Sequence, residues 1–261
     1  MLILLPPSEG KTAPSRGIRL DVDSLSLPVL SSARATVIEA LVDLCEHHPD
    51  SALEVLAVPK TQPELVASNA ALRTAPTARA DSIYTGVLYD ALSPTTLSSA
   101  AKRRLSGRVM VTSSVFGLVA MGDRIPAYRL SGDAVLPGLP GTGGVQAFWR
   151  AHLEPAALEA LGNGLLVDLR SGTYAAFWHP TVVAPRTATV RVLHEVRGVR
   201  KVVSHFNKAT KGRIVRALME SGAAPRTPAA LADTLRDLGW TVEAGPAGKK
   251  GTQLDVVVSE L

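Results

Sequence analysis

The chain has 261 residues, of which 46% are hydrophobic and 20% are charged, which is enough to bury a substantial core. Its apolar runs are far shorter than the roughly 20 residues that cross a bilayer, and its first residues carry neither a basic stretch nor a cleavage signal, so we expect no membrane span and no signal peptide. The single cysteine, Cys45, excludes an intrachain disulfide and favours a reducing compartment.

Short apolar strands and helical patterns alternate along the chain, with Pro or Gly at nearly every junction. The predicted strands are 2–5, 108–112, 165–169, 188–195, 201–206, 241–243 and 254–259. The predicted helices are 32–46, 63–72, 95–105, 145–160, 208–221 and 228–238. The Gly- and Pro-rich stretch 130–144 predicts a surface loop or, alternatively, a hinge or lid. This pattern predicts a single compact domain over residues 1–261, of the mixed α/β class, with a central mixed sheet and flanking helices.

The first strand runs into Gly10-Lys11-Thr12, the Gly-Lys-Thr of a nucleotide-binding P-loop. That motif requires a glycine where this chain has Leu5, and the two prolines after Leu5 lack the N–H groups that hold phosphate. An ATP or GTP site of that kind is therefore excluded. Ser8 and Lys11 at a strand exit remain candidates for holding an anion, the alternative being a lysine directed into water.

Positive charge is concentrated towards the end of the chain. Residues 1–185 carry 15 Lys+Arg and 16 Asp+Glu, whereas residues 186–261 carry 13 and 7. Nine of these basic residues and one acid fall within 186–216. Concentrated positive charge attracts polyanions, of which nucleic acids are the commonest, although a solvated basic face is the alternative.

The helix predicted over 208–221 carries two lysines on its apolar face. At about 100° per residue, Lys208 and Lys211 share an arc with Ile214, whereas Arg213 and Arg216 lie on the other side. The helix dipole disfavours cations near an N-terminus, so this placement favours anion binding over a solvated face.

Two further segments place polar residues at predicted strand ends. In TSSVFGLVAMGDRIPAYRL, Ser113 and Ser114 begin a turn with N–H groups that an anion can use, and Asp123 and Arg129 are candidate partners of each other. In VDLRSGTY, Asp168 ends an apolar strand, where a carboxylate can serve as a base or nucleophile.

Six stretches, in order along nearly the whole chain, resemble the YaaA family of bacterial peroxide-stress proteins. They are MLILLPPSEGKT, DSIYTGVLYDAL, SSVFGLVAMGDRIPAYRL, Phe148-Trp149, VDLRSGTY and KVVSHFNKATKGRIVRAL. The resemblance implies an α/β fold of unusual topology with a positively charged cleft, a cytoplasmic location, and binding of double-stranded or branched DNA. It also implies a role in surviving peroxide stress, through less free iron and less oxidative DNA damage.

The family resemblance also implies a helix-hairpin-helix-like element, for which the matching segment is 112–118. This chain has Ser114 where that motif has its first glycine, and its Pro-Ser-Glu-Gly-Lys sequence differs from the shorter Ser-Pro-Ala-Lys of other members. The six histidines are scattered, with no metal-ligand spacing. We therefore expect no bound metal or cofactor, and an indirect effect on iron.

Three functional hypotheses follow. The first is a DNA-binding protein without an obligate protein partner or membrane contact, whose anion-binding residues are Lys11, Ser113, Ser114, Arg129, Ser171, Lys208 and Lys211. The second is an enzyme acting on a nucleobase or nucleotide, such as a modified or damaged purine, with Asp168, Ser8 and Tyr174 as catalytic residues. The motivation for the second is a set of polar residues unlike those of a pure backbone binder: Ser8, Lys11, Tyr84, Ser113, Asp123, Asp168, Ser171 and Tyr174. The resemblance adds relatives linked to deazapurine chemistry. The third is an interaction protein with a basic patch.

Overall fold

The fold is built round an eight-stranded mixed sheet, seen in a computed structural model that describes residues 1–141 and 144–259 and, at 204–206, the backbone alone. The strands of the molecule are β1 (Leu2–Leu5), β2 (Ala78–Arg79), β3 (Val109–Ser113), β4 (Gly117–Ala120), β5 (Arg124–Ile125), β6 (Leu166–Asp168), β7 (Thr187–Val196), β8 (Val199–Lys201), β9 (Thr241–Gly248) and β10 (Gly251–Val258). All but β2 and β5, which pair separately, belong to the main sheet.

The strand order of the main sheet is β4-β3-β1-β6-β7-β10-β9, with β8 paired to β7. The strands from β3 to β10 in this order run parallel, whereas β4 and β9 are antiparallel at the two edges. The chain passes from β1 to β3 on one side, and later reaches β6 on the other side of β1. The carboxyl ends of all three strands therefore meet where the strand order reverses, which is where open α/β sheets bind ligands.

The helices pack on this sheet around one continuous apolar core, so the described residues form a single α/β domain. They are α1 (Ser31–His47), α2 (Pro49–Val55), α3 (Glu64–Ala70), α4 (Ala80–Ile83), α5 (Val87–Leu92), α6 (Ser99–Arg108), α7 (Gly144–Leu161), α8 (Gly172–Ala175), α9 (Ser204–Ser221) and α10 (Pro228–Asp237). Short 3₁₀ turns lie at Val22–Ser24, Pro28–Leu30, Pro94–Thr96 and Thr181–Arg186. Within the described ranges, none of the helices has the length and apolarity to cross a membrane.

The mixed α/β class predicted from the sequence is confirmed, but the strand predicted at 201–206 is wrong. The chain leaves β8 at Lys201, and the amide of Asn207 already donates to the carbonyl of Val203 at 2.9 Å in the first turn of α9. Val202 and Val203 favour a strand locally, yet α9 begins directly after them, with Val203 as its N-cap residue.

The helix-hairpin-helix-like element expected at 112–118 is also wrong, because this segment joins two antiparallel strands. Ser113 of β3 lies opposite Gly117 of β4. Gly117 has a φ of 71°, and a Cβ there would lie 2.6 Å from the Trp149 ring. The buried Arg34 donates to the carbonyls of Phe116 at 3.0 Å and Leu118 at 2.8 Å. This β-hairpin is thus held firmly from the interior.

The stretch predicted as a loop, hinge or lid has no regular secondary structure over residues 130–141. Leu136 and Leu139 are buried, and the amide of Val145 donates to the carbonyl of Ala134 at 3.0 Å. The described part is therefore a loop anchored to the core, and residues 142–143 of the prediction lie outside the described residues.

Candidate functional site: a cleft at the carboxyl ends of two central strands

A cavity of about 860 Å³, hereafter the cleft, lies at the carboxyl ends of β1 and β6. Its walls come from residues in five segments, namely 6–11, 85–89, 129–133, 169–174 and 207–211. Each of these segments overlaps one of the stretches that carry the family resemblance. The volume is in the range typical of small-molecule sites.

Lys11 lines the cleft where the loop leaving β1 ends. Its Nζ donates to the carbonyl of Ser8 at 2.8 Å and lies 4.1 Å from the centroid of the Tyr128 ring. Burial, helped by the charge of Arg129 and opposed by Glu9, lowers the pKa of Lys11 to about 7. A large fraction of this side chain is therefore uncharged near neutral pH.

Ser8 shapes the loop that carries Lys11. Its Oγ accepts the N–H of Thr85 at 3.1 Å and donates to the carbonyl of Gly10 at 2.5 Å. The hydroxyl of Tyr89 donates to the carbonyl of Pro6 at 2.7 Å and fixes the other end of the loop. Ser8 lines the cleft, but its hydroxyl already has partners on both sides.

A chain of buried hydroxyls supports Lys11 from behind the wall of the cleft. The hydroxyl of Tyr128 lies 3.1 Å from that of Tyr84 and 2.8 Å from the Oγ of Ser113. The same Ser113 Oγ accepts the N–H groups of Val115 and Phe116. Burial raises the pKa of both tyrosines well above the usual value, so both stay protonated.

Ser113 and Ser114 are fully buried, so a ligand in the cleft does not reach either hydroxyl. The Oγ of Ser114 donates to the carbonyl of Leu130 at 2.6 Å, and its own carbonyl accepts the indole N–H of Trp149 at 2.7 Å. The turn N–H groups that the sequence offered to an anion are taken by Ser113 itself. The geometry thus assigns both serines a structural role.

Asp168 ends β6 and pairs with Arg170, a residue that the sequence reasoning missed. The guanidinium Nε and Nη2 donate to the two carboxylate oxygens at 2.8 and 2.7 Å, and both side chains are buried. Nη2 also donates to the carbonyl of Trp178 at 2.9 Å. Arg170 lines the cleft and Asp168 does not, so the carboxylate orients Arg170. The Asp-x-Arg spacing after a strand is the signal that could have revealed this pair.

The first turns of α9 bring two lysines to the cleft. Nζ of Lys211 donates to the carbonyl of Leu169 at 3.1 Å, and burial lowers the pKa of this lysine. Lys208 is exposed and also lines the cleft. A Cβ at Gly212 would lie 2.1 Å from the carbonyl oxygen of Leu88, so only a glycine lets α9 approach α5 this closely.

Arg129 lines the cleft, and the side chain of Asn69 holds its backbone. The N–H of Arg129 donates to the Asn69 Oδ1 at 2.9 Å, and the Asn69 Nδ2 donates to the carbonyl of Arg129 at 2.6 Å. Its guanidinium is 3.7 Å from the exposed Glu9, and among the described residues its buried Nε has no partner. The predicted pairing with Asp123 is wrong, because that carboxylate accepts from the hydroxyl of Ser26 at 2.7 Å.

Ser171 and Tyr174 line the cleft at the start of α8. Ser171 is exposed, and burial raises the pKa of Tyr174 to about 12, so this hydroxyl is a proton donor at neutral pH. Asn207 lines the opposite wall, and its buried Oδ1 has no partner among the residues that the structure describes.

The cleft wall contains more basic residues than acidic ones. It carries five basic residues, Lys11, Arg129, Arg170, Lys208 and Lys211, and two acids, Glu9 and Asp133. Two of these five, Lys208 and Lys211, belong to the nine basic residues in 186–216. Others make structural contacts: Arg186 donates to the carbonyls of two glycines, and Arg191 pairs with Asp255. No group of three or more His, Cys, Asp or Glu side chains within the described residues is placed to hold a metal ion.

Comparison with known proteins gives matches along the full chain. The family model described as peroxide stress protein YaaA matches residues 1–245. A UPF0246 protein of Streptomyces coelicolor is 53% identical over the whole of both chains. A UPF0246 protein of Corynebacterium efficiens is 45% identical over 98% of this chain and all of its own. An uncharacterized protein of Campylobacter jejuni is 27% identical over 81% of this chain and 82% of its own.

The matched length and these identities agree with the resemblance carried by the six sequence stretches, five of which supply the walls of the cleft. The chain belongs to the family of the peroxide stress protein YaaA.

Proposed function

We propose that this peroxide-stress family member binds nucleic acid by holding backbone phosphate in the cleft, with Arg129, Lys208 and Lys211 as the cationic contacts. The observation that carries the proposal is that these three cations line one cavity. The other two basic residues of the wall contribute less charge, because Asp168 pairs with Arg170 and Lys11 is partly uncharged near pH 7. Ammonium and guanidinium groups are the usual protein partners of phosphate. Nucleic acid held in this way is shielded from oxidation, which is the expected benefit during peroxide stress.

The size of the cleft limits how the nucleic acid binds. A volume of about 860 Å³ accommodates a nucleotide and is too small for a duplex. We therefore expect one nucleotide or phosphate to enter, while the rest of the strand crosses the exposed rim at Lys208. Contacts of this kind are made to the phosphate backbone of the nucleic acid and not to its bases, so binding is tolerant of sequence and strongly dependent on salt.

The test is a salt titration of binding to a fluorescent DNA duplex and a branched junction. Lys208→Ala/Lys211→Ala should weaken binding and reduce the slope of log K against log salt by about 2. The matched control is Arg213→Ala/Lys249→Ala, which removes two exposed positive charges outside the cleft wall. Equal slopes for the two double variants would contradict the proposal.

A second candidate function is catalysis on a nucleobase or nucleotide in the same cleft. The observation that favours it is Lys11, with its pKa near 7, in one cavity with the protonated Tyr174. Here Tyr174 acts as a proton donor, Ser8 positions the loop, and Asp168 orients Arg170. Wild type and Tyr174→Phe should be compared on nucleosides and on duplexes with oxidised or modified bases. The absence of turnover by the wild type on any of them would dismiss this candidate.

A further inference from the structure

Lys11 differs from the other cations of the cleft in how its nitrogen is held. Its Nζ is fixed between the carbonyl of Ser8 at 2.8 Å and the ring of Tyr128 at 4.1 Å, and a second carbonyl, that of Glu9, lies at 3.4 Å. The side chain of Lys11 is less exposed to solvent than that of Lys208. The positive charge of Arg129 repels an ammonium group at this position. The two carbonyls and the ring stabilise the ammonium form, whereas burial and the charge of Arg129 outweigh them and lower the pKa of Lys11, so a neutral amine is available in the wall of the cavity.

We propose that Lys11 is a nucleophile that forms an imine with an aldehyde carried by a phosphate-bearing ligand in the cleft. The amine nitrogen attacks the carbonyl carbon and a C–N bond forms, while the carbonyl oxygen takes up a proton to give a carbinolamine. The C–O bond then breaks, the oxygen leaves as water with the protons that nitrogen loses, and a C=N bond remains. The step requires no oxidant or reductant.

Two features of the cleft favour this chemistry. Tyr174 lines the same cavity and keeps its proton at neutral pH, so its hydroxyl can donate to the departing oxygen. Tyr84 and Tyr128 are protonated and hydrogen-bonded to each other behind Lys11, which leaves the carboxylate of Glu9 and the guanidinium of Arg129 as the charges that face it. A lysine whose ammonium form is disfavoured serves in enzymes as a general base or as a nucleophile that forms an imine.

The phosphate requirement rests on the proposed function, because it assigns Arg129, Lys208 and Lys211 to the phosphate. An aldehyde next to phosphate has two common sources, a free sugar phosphate and the ring-opened deoxyribose of an abasic site in DNA. Both place a carbonyl within a few bonds of a phosphate ester. The test therefore uses both.

Wild-type protein is incubated at pH 7 with 2-deoxyribose 5-phosphate or with a duplex that contains one abasic site, reduced with borohydride, and mapped by peptide mass spectrometry. Borohydride converts an imine into a stable secondary amine. We expect labelling of Lys11 to exceed that of the exposed Lys102 by at least about tenfold, because far more of Lys11 is uncharged at this pH. Labelling by the duplex alone would identify the abasic site as the ligand. Labelling by both probes would show that Lys11 reacts with an aldehyde next to phosphate from either source.

Lys11→Arg keeps a cation but cannot form an imine, so it should lose the adduct, whereas Lys102→Arg should retain it. Equal labelling of Lys11 and Lys102, or no adduct with either probe, would overturn the proposal. Binding of an intact duplex separates the two ideas. Salt-dependent binding through Lys208 and Lys211 without trapping refutes the imine alone, and trapping of the sugar phosphate without duplex binding refutes the nucleic-acid function alone.

Discussion

The strands β1 and β3 are adjacent and parallel and end at the same edge of the sheet, yet the segments that follow them differ. After β1 the chain runs out over the edge, and residues 6–11 line the cleft. After β3 it turns back at once into β4, and the hydroxyls of Ser113 and Ser114 find partners inside the protein. A polar residue at a carboxyl edge is thus available to a ligand only when the chain carries it out over the edge and does not fold it back into the core.

The comparison predicts that changes in the β-hairpin alter stability, whereas changes in the cleft alter binding. Gly117→Ala should have the largest effect, lowering the free energy of unfolding by roughly 2–4 kcal/mol, since the methyl meets the Trp149 ring and φ is positive. Urea unfolding measures this. Gly107→Ala is the control, because a Cβ there has no neighbour within 4 Å. Similar losses in both variants would show that the β-hairpin is not tightly packed.

Ser113→Ala should cost about 1–3 kcal/mol of stability, because it removes the acceptor of two buried N–H groups. Duplex affinity of the folded protein should be unchanged, as Ser113 lies behind the cleft wall. Affinity is measured well below the unfolding temperature of the variant. A loss of affinity with intact folding would place this serine in the binding site after all.

Lys11 should make stability rise with pH. Its pKa is about 7 in the folded chain against an ordinary value of 10.5, so the unfolded chain binds more protons between these values. The free energy of unfolding of the wild type relative to Lys11→Met should therefore increase from pH 7 to 10, by at most about 1.4 kcal/mol per unit, and level off below pH 7. Lys102→Met, which changes an exposed lysine, should leave the slope as in the wild type. A flat difference would mean that Lys11 is an ordinary lysine.

Lys208→Ala should have the smallest effect on stability, within about 0.5 kcal/mol, because the side chain is exposed. The same variant should reduce the salt slope of duplex binding by about 1. Its expected effects are thus the opposite of those of Ser113→Ala, which lowers stability and leaves duplex affinity unchanged. A change in stability without a change in slope would reverse the assignment of the two regions.

Much of this arrangement is readable from the sequence, because buried strands and amphipathic helices have clear periods. The exit of β1, the lysine-bearing face of α9 and the polar end of β6 all follow from such patterns. The hydrogen-bond partners of individual side chains do not follow from such patterns. Arg129 is held by Asn69, 60 positions away, and Asp123 is held by Ser26, 97 positions away. Only packing decides these contacts. The short turn into β4 was missed because a turn before an apolar run fits a helix as well as a strand.

Hydrogen exchange with and without a DNA duplex tests the central claim most directly. The account predicts that DNA slows exchange in residues 8–11, 170–174 and 207–211, which belong to the cleft wall. The comparison surface is the exposed hairpin of β7 and β8, with Arg197, Arg200 and Lys201. Protection confined to that hairpin, with the cleft segments unchanged, would contradict the account.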